Sequence, residues 1–229
     1  MKAVQRLLVG MLATPFMCWG IANASVIGVD SYDIENSRLS GSGGWAHTYN
    51  GTITPDGSTY DYTGGSGTLN DGLVGTGAQN THLFYVADAS AIKLNLAESG
   101  TIDTLSLFSF STESNGIPGN ITGLDVTING VTQYFTTIGF GAANPASWNG
   151  SDHAHELIDL GGSLLAGLVT DTITLSGFTT ENPYASYYSI SEVVVDGTAA
   201  AAVPEPSTLV LMGMGMVGFG FSRRKSQKA

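Results

Sequence analysis

The sequence predicts an all-β chain, an antiparallel β-sandwich of the jelly-roll kind, on three observations. Apolar and polar residues alternate over short stretches, Gly- and Asn-rich turn signals separate those stretches, and no long amphipathic helical period is visible. Alternation is clearest at Ile92, Leu94 and Leu96 around Lys93 and Asn95, and continues at Leu105 and Leu107 within residues 101–110. It recurs at Ile173 and Leu175 among threonines, and at Val193 and Val195 around Val194. Residues 124–128 and 131–137 flank Asn129-Gly130, a dipeptide that accepts positive φ at both central positions of a type I′ turn, so they are predicted as a hairpin. Further strands are expected over 26–34, 45–53, 60–63, 82–86 and 156–160, separated by glycine-rich turns. There is no strict internal repeat.

The two ends read differently from the middle. Residues 1–24 carry Lys2 and Arg6, an apolar stretch from Leu7 to Ile21, and Ala22-Asn23-Ala24, the three parts of a secretory signal peptide with cleavage expected after Ala24. Cys18, the sole cysteine, leaves with it, so the mature chain is expected to have no disulfide or thiol chemistry. Residues 203–229 begin with Pro204-Glu205-Pro206, continue through 15 uncharged residues from Ser207 to Phe221, and end in a cluster containing Arg223, Arg224 and Lys225. As a helix the run reaches ~22 Å, short of a ~30 Å hydrocarbon core but able to anchor with local thinning. The basic cluster then stays on the cytoplasmic side.

This order of parts resembles the PEP-CTERM sorting signal of Gram-negative bacteria. The resemblance implies an exported protein, held in the inner membrane by its tail and cut near Pro204-Glu205-Pro206 by an exosortase. It is then passed to the cell surface or extracellular polymer matrix.

Residues 25–202 remain as one domain. Only Arg38 and Lys93 are basic there against 18 acidic residues, Glu205 being the nineteenth, for a net charge of −16. Such a field repels nucleic acid and anionic lipid head groups and suits divalent cations.

Aromatic residues in turn-like surroundings mark the candidate ligand site: Trp45 after Gly43-Gly44, Trp148 beside Asn149-Gly150, and Tyr184 after Asn182-Pro183. An aromatic face there stacks on a sugar ring while neighbouring Asn and Asp bond its hydroxyls. Burial in the core is the competing reading, and Trp45, His47 and Tyr49 also fit one face of a strand. The cluster His153, His155, Glu156 fits zinc or copper chelation if a third ligand joins it, or a solvated loop entering a strand. No Gly-x-Ser-x-Gly elbow occurs, and the glycine runs at 41–44 and 64–67 lack a phosphate-binding lysine and a following helix.

A second resemblance covers residues 69–197. Leu69-Asn70-Asp71-Gly72, Ile92-Lys93-Leu94-Asn95-Leu96, Ile102-Asp103-Thr104-Leu105-Ser106-Leu107 and the closing stretch 188–197 with Glu192 follow the order of galactose-binding-like, discoidin-type domains. That family implies a jelly roll that often holds a structural Ca²⁺ and binds carbohydrate at loops on one end. Asp71 and Glu192 would then lie at the calcium site, although Leu73-Val74-Gly75 replaces the expected polar continuation. From the residues alone, Asn70, Asp71 and Glu192 fit either several of the six to eight oxygens calcium takes or an ordinary tight turn beside an outward strand residue.

Taken together, these features describe a non-catalytic carbohydrate-binding or adhesive domain associated with extracellular polysaccharide. A surface-displayed polysaccharide hydrolase or lyase, and a structural matrix protein without a specific ligand, are the alternatives.

Overall fold

The computed structural model describes residues 25–75, 78–109, 118–137, 154–180 and 186–200, with backbone only at 109, 154 and 155. Both chain ends, with the expected signal peptide and sorting tail, lie outside this set. The strands are β1 Ser25–Ile27, β2 Val29–Ser37, β3 Thr52–Asp56, β4 Thr59–Gly65, β5 His82–Tyr85, β6 Ala91–Ser109, β7 Ile121–Ile128, β8 Val131–Thr136, β9 Ala154–Asp159, β10 Val169–Thr180, β11 Tyr187–Ile190 and β12 Glu192–Ala199. Among the described residues there is no α-helix, only single 3₁₀ turns at Ser42–Gly44 and Val86–Asp88. All strand pairings are antiparallel.

The 19-residue β6 belongs to two sheets in turn. Its first half sits between β2 and β10 in a sheet ordered β3-β4-β2-β6-β10-β7-β8. Its second half sits between β12 and β9, with β1 beyond β12. The change occurs over residues 96–100, where the β10 pairing skips from Asn95 to Gly100 and Ala97 N–H bonds to Gly28 O at 2.8 Å instead. A bulge of this kind lets one strand turn a corner between packed layers.

Inward residues of both layers meet in one core: Ile34, Ile92, Leu94, Leu124, Val126, Ile173 and Leu175 on one side, and Leu105, Leu107, Ile158, Val193 and Val195 on the other. Each set follows the period-2 alternation of its strand.

The hairpin expected at Asn129-Gly130 is present. The two residues have φ of 51° and 78°, and Ile128 pairs with Val131. Edge strand β3 is exposed throughout and carries Pro55, which removes one donor from an otherwise open edge.

Three expectations are corrected. Residues 26–34 form two strands broken at Gly28, and residues 92–96 and 101–109 lie in one strand because the bulge keeps the chain extended. Residues 45–53 are not a strand until Thr52. Gly43 and Gly44, with φ of 62° and 83°, turn the chain first, and the segment then makes only isolated bridges at Ala46 and Tyr49. His47 and Tyr49 of this segment pack on other rings, and Trp45 packs on Leu83.

Gly100 lies at the corner, where an added Cβ would come within 2.7 Å of Thr198 O and 2.8 Å of Ile27 Cδ1. Gly100→Val is expected to cost about 1–3 kcal/mol in urea unfolding, the usual penalty of overpacking. Gly28→Ala, whose nearest neighbour would be 3.6 Å away, should lie within about 1 kcal/mol of wild type. Equal stability of the two variants would contradict this account of the corner.

Candidate functional site

Strand β5 presents His82 and Phe84 on one face, two residues apart, and both enter a column of parallel rings. His47 stacks on His82 at 3.7 Å, His82 on Phe84 at 4.3 Å, Phe84 on Tyr188 at 4.9 Å, and Tyr188 on Phe178 at 4.5 Å between ring centroids. The rings come from the 45–50 segment, β5, β11 and β10, so the column ties the two-stranded β5–β11 ribbon to the main sheet.

Polar atoms at its head are paired internally. Tyr62 Oη donates to Arg38 O at 2.8 Å and receives a bond from His47 Nε2 at 3.0 Å, while His82 Nε2 bonds Ser37 Oγ at 2.7 Å. His82 Nδ1 is buried without a hydrogen-bond partner, which suits a neutral ring. Burial lowers the pKa of His47 to about 4, and burial with the neighbouring His47 pushes His82 well below its usual value. The Ser37–His82 pair has the contact of a nucleophile and base, but Ser37 is 1% exposed and no substrate reaches it.

On the opposite face of the β5–β11 ribbon, where Leu83 and Tyr85 point, lies a cleft of about 360 Å³ lined by Arg38, Trp45, Leu83, Tyr85 and Tyr187, with Ser42, Gly43 and Phe84 also bordering it. Trp45 is 8% exposed and packs on Leu83, so it is at once part of a small core and a wall of the cleft. Tyr85 and Tyr187 face each other across the β5–β11 ladder with ring centroids 4.8 Å apart. The Arg38 guanidinium lies 5.7 Å from the Tyr85 ring centroid and grips Asp88 with a two-pronged hydrogen bond, Nε to Oδ2 and Nη2 to Oδ1, the second at 2.6 Å. That carboxylate raises the arginine pKa further above its already high value.

Of the residues proposed from sequence, Trp45 lies in this cleft. Trp148, Tyr184, His153 and the sorting residues Pro204, Glu205 and Pro206 lie outside the described residues. Glu156 is fully buried in β9 and accepts the Ile121 N–H at 2.9 Å, so it faces the core rather than a solvated loop. Arg38, Tyr85, Asp88 and Tyr187 escaped sequence reasoning. Arg38, one of only two basic residues in the domain, was the usable signal; the pairing of Tyr85 with Tyr187 depends on strand register.

Asp71 and Glu192 are brought together, 121 positions apart, at a different part of the surface. Burial raises the pKa of Glu192 to about 7, opposed by the Gly72 N–H bond and reinforced by the charge of Asp71. The oxygens around it already have donors: Leu69 O accepts Val193 N–H at 2.9 Å, and Asn70 Oδ1 accepts Gly67 N–H at 2.9 Å. Asp71 Oδ1 accepts Leu73 N–H at 2.8 Å, and Glu192 Oε2 accepts Gly72 N–H at 3.0 Å. Glu192 thereby fastens the turn to β12. Among the described residues no group of three or more His, Cys, Asp or Glu is placed to hold a metal ion.

The comparisons with known proteins bear first on the C-terminus, where the model of the PEP-CTERM protein-sorting motif matches residues 202–225. The chain carries a PEP-CTERM sorting motif. It is therefore an exported protein with a C-terminal sorting signal. No curated relative matches the chain.

Among solved structures it is similar to a family 32 carbohydrate-binding module of C. perfringens NanJ in complex with galactose. That similarity has 13% identity and a TM-score of 0.40, over 76% of this chain and 99% of that one. It is also similar to a CBM32 from a family 31 glycoside hydrolase of Clostridium perfringens, with 13% identity, TM-score 0.36, and 57% and 81% coverage. An F5/8 type C domain of Bacteroides fragilis shows 13% identity, TM-score 0.36, and 58% and 80% coverage. Likeness at these levels concerns the general strand arrangement alone.

The buried imidazoles make stability pH-dependent. Between pH 6.5 and about 4.5 the unfolded chain binds two more protons than the folded one at His47 and His82, and one fewer at Glu192, whose folded pKa is raised. The net, small at pH 6.5 and rising toward one proton by about pH 5.5, predicts a loss of up to about 1.4 kcal/mol per pH unit on acidification. His82→Phe, which keeps the ring stack, should flatten the slope. A wild-type stability that is constant or rises on acidification from pH 6.5 would contradict the assignment.

Proposed function

We propose that the domain is a non-catalytic carbohydrate-binding module of the cell surface or extracellular matrix, and that the cleft between Arg38, Trp45, Tyr85 and Tyr187 is its sugar site. The observation that carries this reading is an aromatic-walled cleft of about 360 Å³ on one face of the β5–β11 ribbon, whose other face is held by the stacked rings, with Arg38, fixed by Asp88, as a hydrogen-bonding group in its wall. Apolar walls with a few fixed polar groups suit a sugar, whose ring presents C–H groups on its faces and hydroxyls at its edge. Binding rather than hydrolysis is favoured because Asp88 is committed to Arg38 and the two described histidines are buried and neutral. The sorting motif implies processing by an exosortase. In this reading the tail holds the precursor at the inner membrane until it is cut, and the released domain then engages exopolysaccharide. The turn at residues 69–73 is closed by Glu192 and requires no calcium.

Affinity electrophoresis of the full-length protein in gels containing bacterial exopolysaccharides tests the site. Tyr187→Ala should lower retardation by at least about tenfold in apparent Kd while leaving Tm nearly unchanged, as truncation of a rim aromatic does. Binding that is absent, or indifferent to Tyr187→Ala and Tyr85→Ala, would remove the cleft from the account, and release of reducing sugar would favour the enzymatic alternative.

Calorimetry of the same protein should give the same Tm with calcium and with chelator. Glu192→Ala should cost about 1–3 kcal/mol by stranding the amide at Gly72. A rise in Tm on adding calcium that Glu192→Gln abolishes would restore the ion.

A further inference from the structure

The cleft contains one cation, and how that cation is held decides which sugars can use it. We infer that Asp88 sets the charge specificity of the cleft: by holding the Arg38 fork it makes the site select neutral sugars and reject uronic acids, an inference that rests on the carbohydrate reading of this cleft.

A free guanidinium would be the natural partner of a sugar carboxylate, because its planar fork matches two carboxylate oxygens. Here that fork is already filled. Nε and Nη2 both donate to Asp88, leaving three of the five N–H groups for a ligand. Those three still serve as donors, but the pair they belong to has no net charge.

An incoming carboxylate would gain little attraction from this pair and would meet the field of a domain with two cations and 18 acids. Its desolvation would go largely uncompensated. A hydroxyl bears no such cost and accepts from the arginine. Asp88 is well suited to a fixed role: its side chain is 9% exposed, against 37% for Arg38, and it lies in the 3₁₀ turn Val86–Asp88 directly after the strand that carries Leu83 and Tyr85. The aspartate is thus part of the frame, and the arginine is the group that reaches toward the ligand. Packing of Arg38 over Tyr85 further limits its swing toward a second anion.

The test uses matched oligosaccharides that differ only at carbon 6, hydroxymethyl in the hexose and carboxylate in the hexuronate, with affinities measured calorimetrically on the full-length protein. Wild type should bind the hexose at least about tenfold more tightly than the hexuronate, with little dependence on salt. Asp88→Asn keeps an oxygen for the arginine but removes the charge, and should shift the ratio by about tenfold or more toward the hexuronate, with hexuronate binding now weakened by salt. Arg38→Gln is the second variant: leaving Asp88 unopposed, it should widen the preference against the hexuronate. A wild type that prefers the hexuronate, or a ratio that Asp88→Asn and Arg38→Gln leave unchanged while the hexose still binds, overturns the role of Asp88 and leaves the sugar site standing. Failure of wild type and both variants to bind either sugar overturns the carbohydrate reading together with this inference.

Discussion

The continuity of β6 is the constraint on which the other elements depend. A strand of 19 residues that pairs with β2 and β10 along its first half and with β12 and β9 along its second makes both layers of the sandwich share one backbone. Their relative position is thereby fixed by covalent geometry at the 96–100 corner rather than by side-chain packing alone. The tight fit at Gly100, against Thr198 O and Ile27 Cδ1, shows how little space that crossing leaves. The core of leucines, isoleucines and valines fills the space between the layers so defined.

On this frame the ring column carries rigidity from the core outward. Phe178 belongs to β10, a direct neighbour of β6, and from it Tyr188, Phe84, His82 and His47 follow as parallel plates on one face of the β5–β11 ribbon, with the cleft on its other face. Stacked rings have few rotamers to lose, so the ribbon whose other face carries Tyr85 and Tyr187 is largely preorganised. Two of the plates are imidazoles kept uncharged by burial, which gives the domain a folded state that resists protonation at its centre. The acidic surface and the paired Arg38 then leave hydrogen bonding and stacking, rather than charge attraction, as the terms available for recognition.

The strands were largely legible because their alternation survives in the structure: Ile92, Leu94, Leu105, Leu107, Ile173 and Leu175 all face the core. The Asn129-Gly130 turn was legible for a local reason, since both φ values are positive and few other dipeptides accept them. What escaped is non-local. The corner in β6 has no special residue type beyond one glycine, and the 45–50 segment carries a strand-like pattern whose inward side chains stack on rings supplied by β5 and β4. The candidate site follows the same division: Trp45 could be named in advance, and the proximity of Asp71 to Glu192 followed from family order. The amides that bond their oxygens are placed by backbone orientation, which no residue pattern encodes.

In this reading a sugar rests in the cleft walled by Trp45, Tyr85 and Tyr187. Chemical-shift mapping by nuclear magnetic resonance, with a bound exopolysaccharide oligomer titrated into the full-length protein, tests it most directly. The account predicts that the Trp45 indole, the Tyr85 and Tyr187 rings and the Arg38 Nε–H shift together and saturate with one affinity. Shifts centred instead on the polar groove at Thr48, Asn50, Ser66 and Asn70, with the cleft signals unmoved, would contradict it.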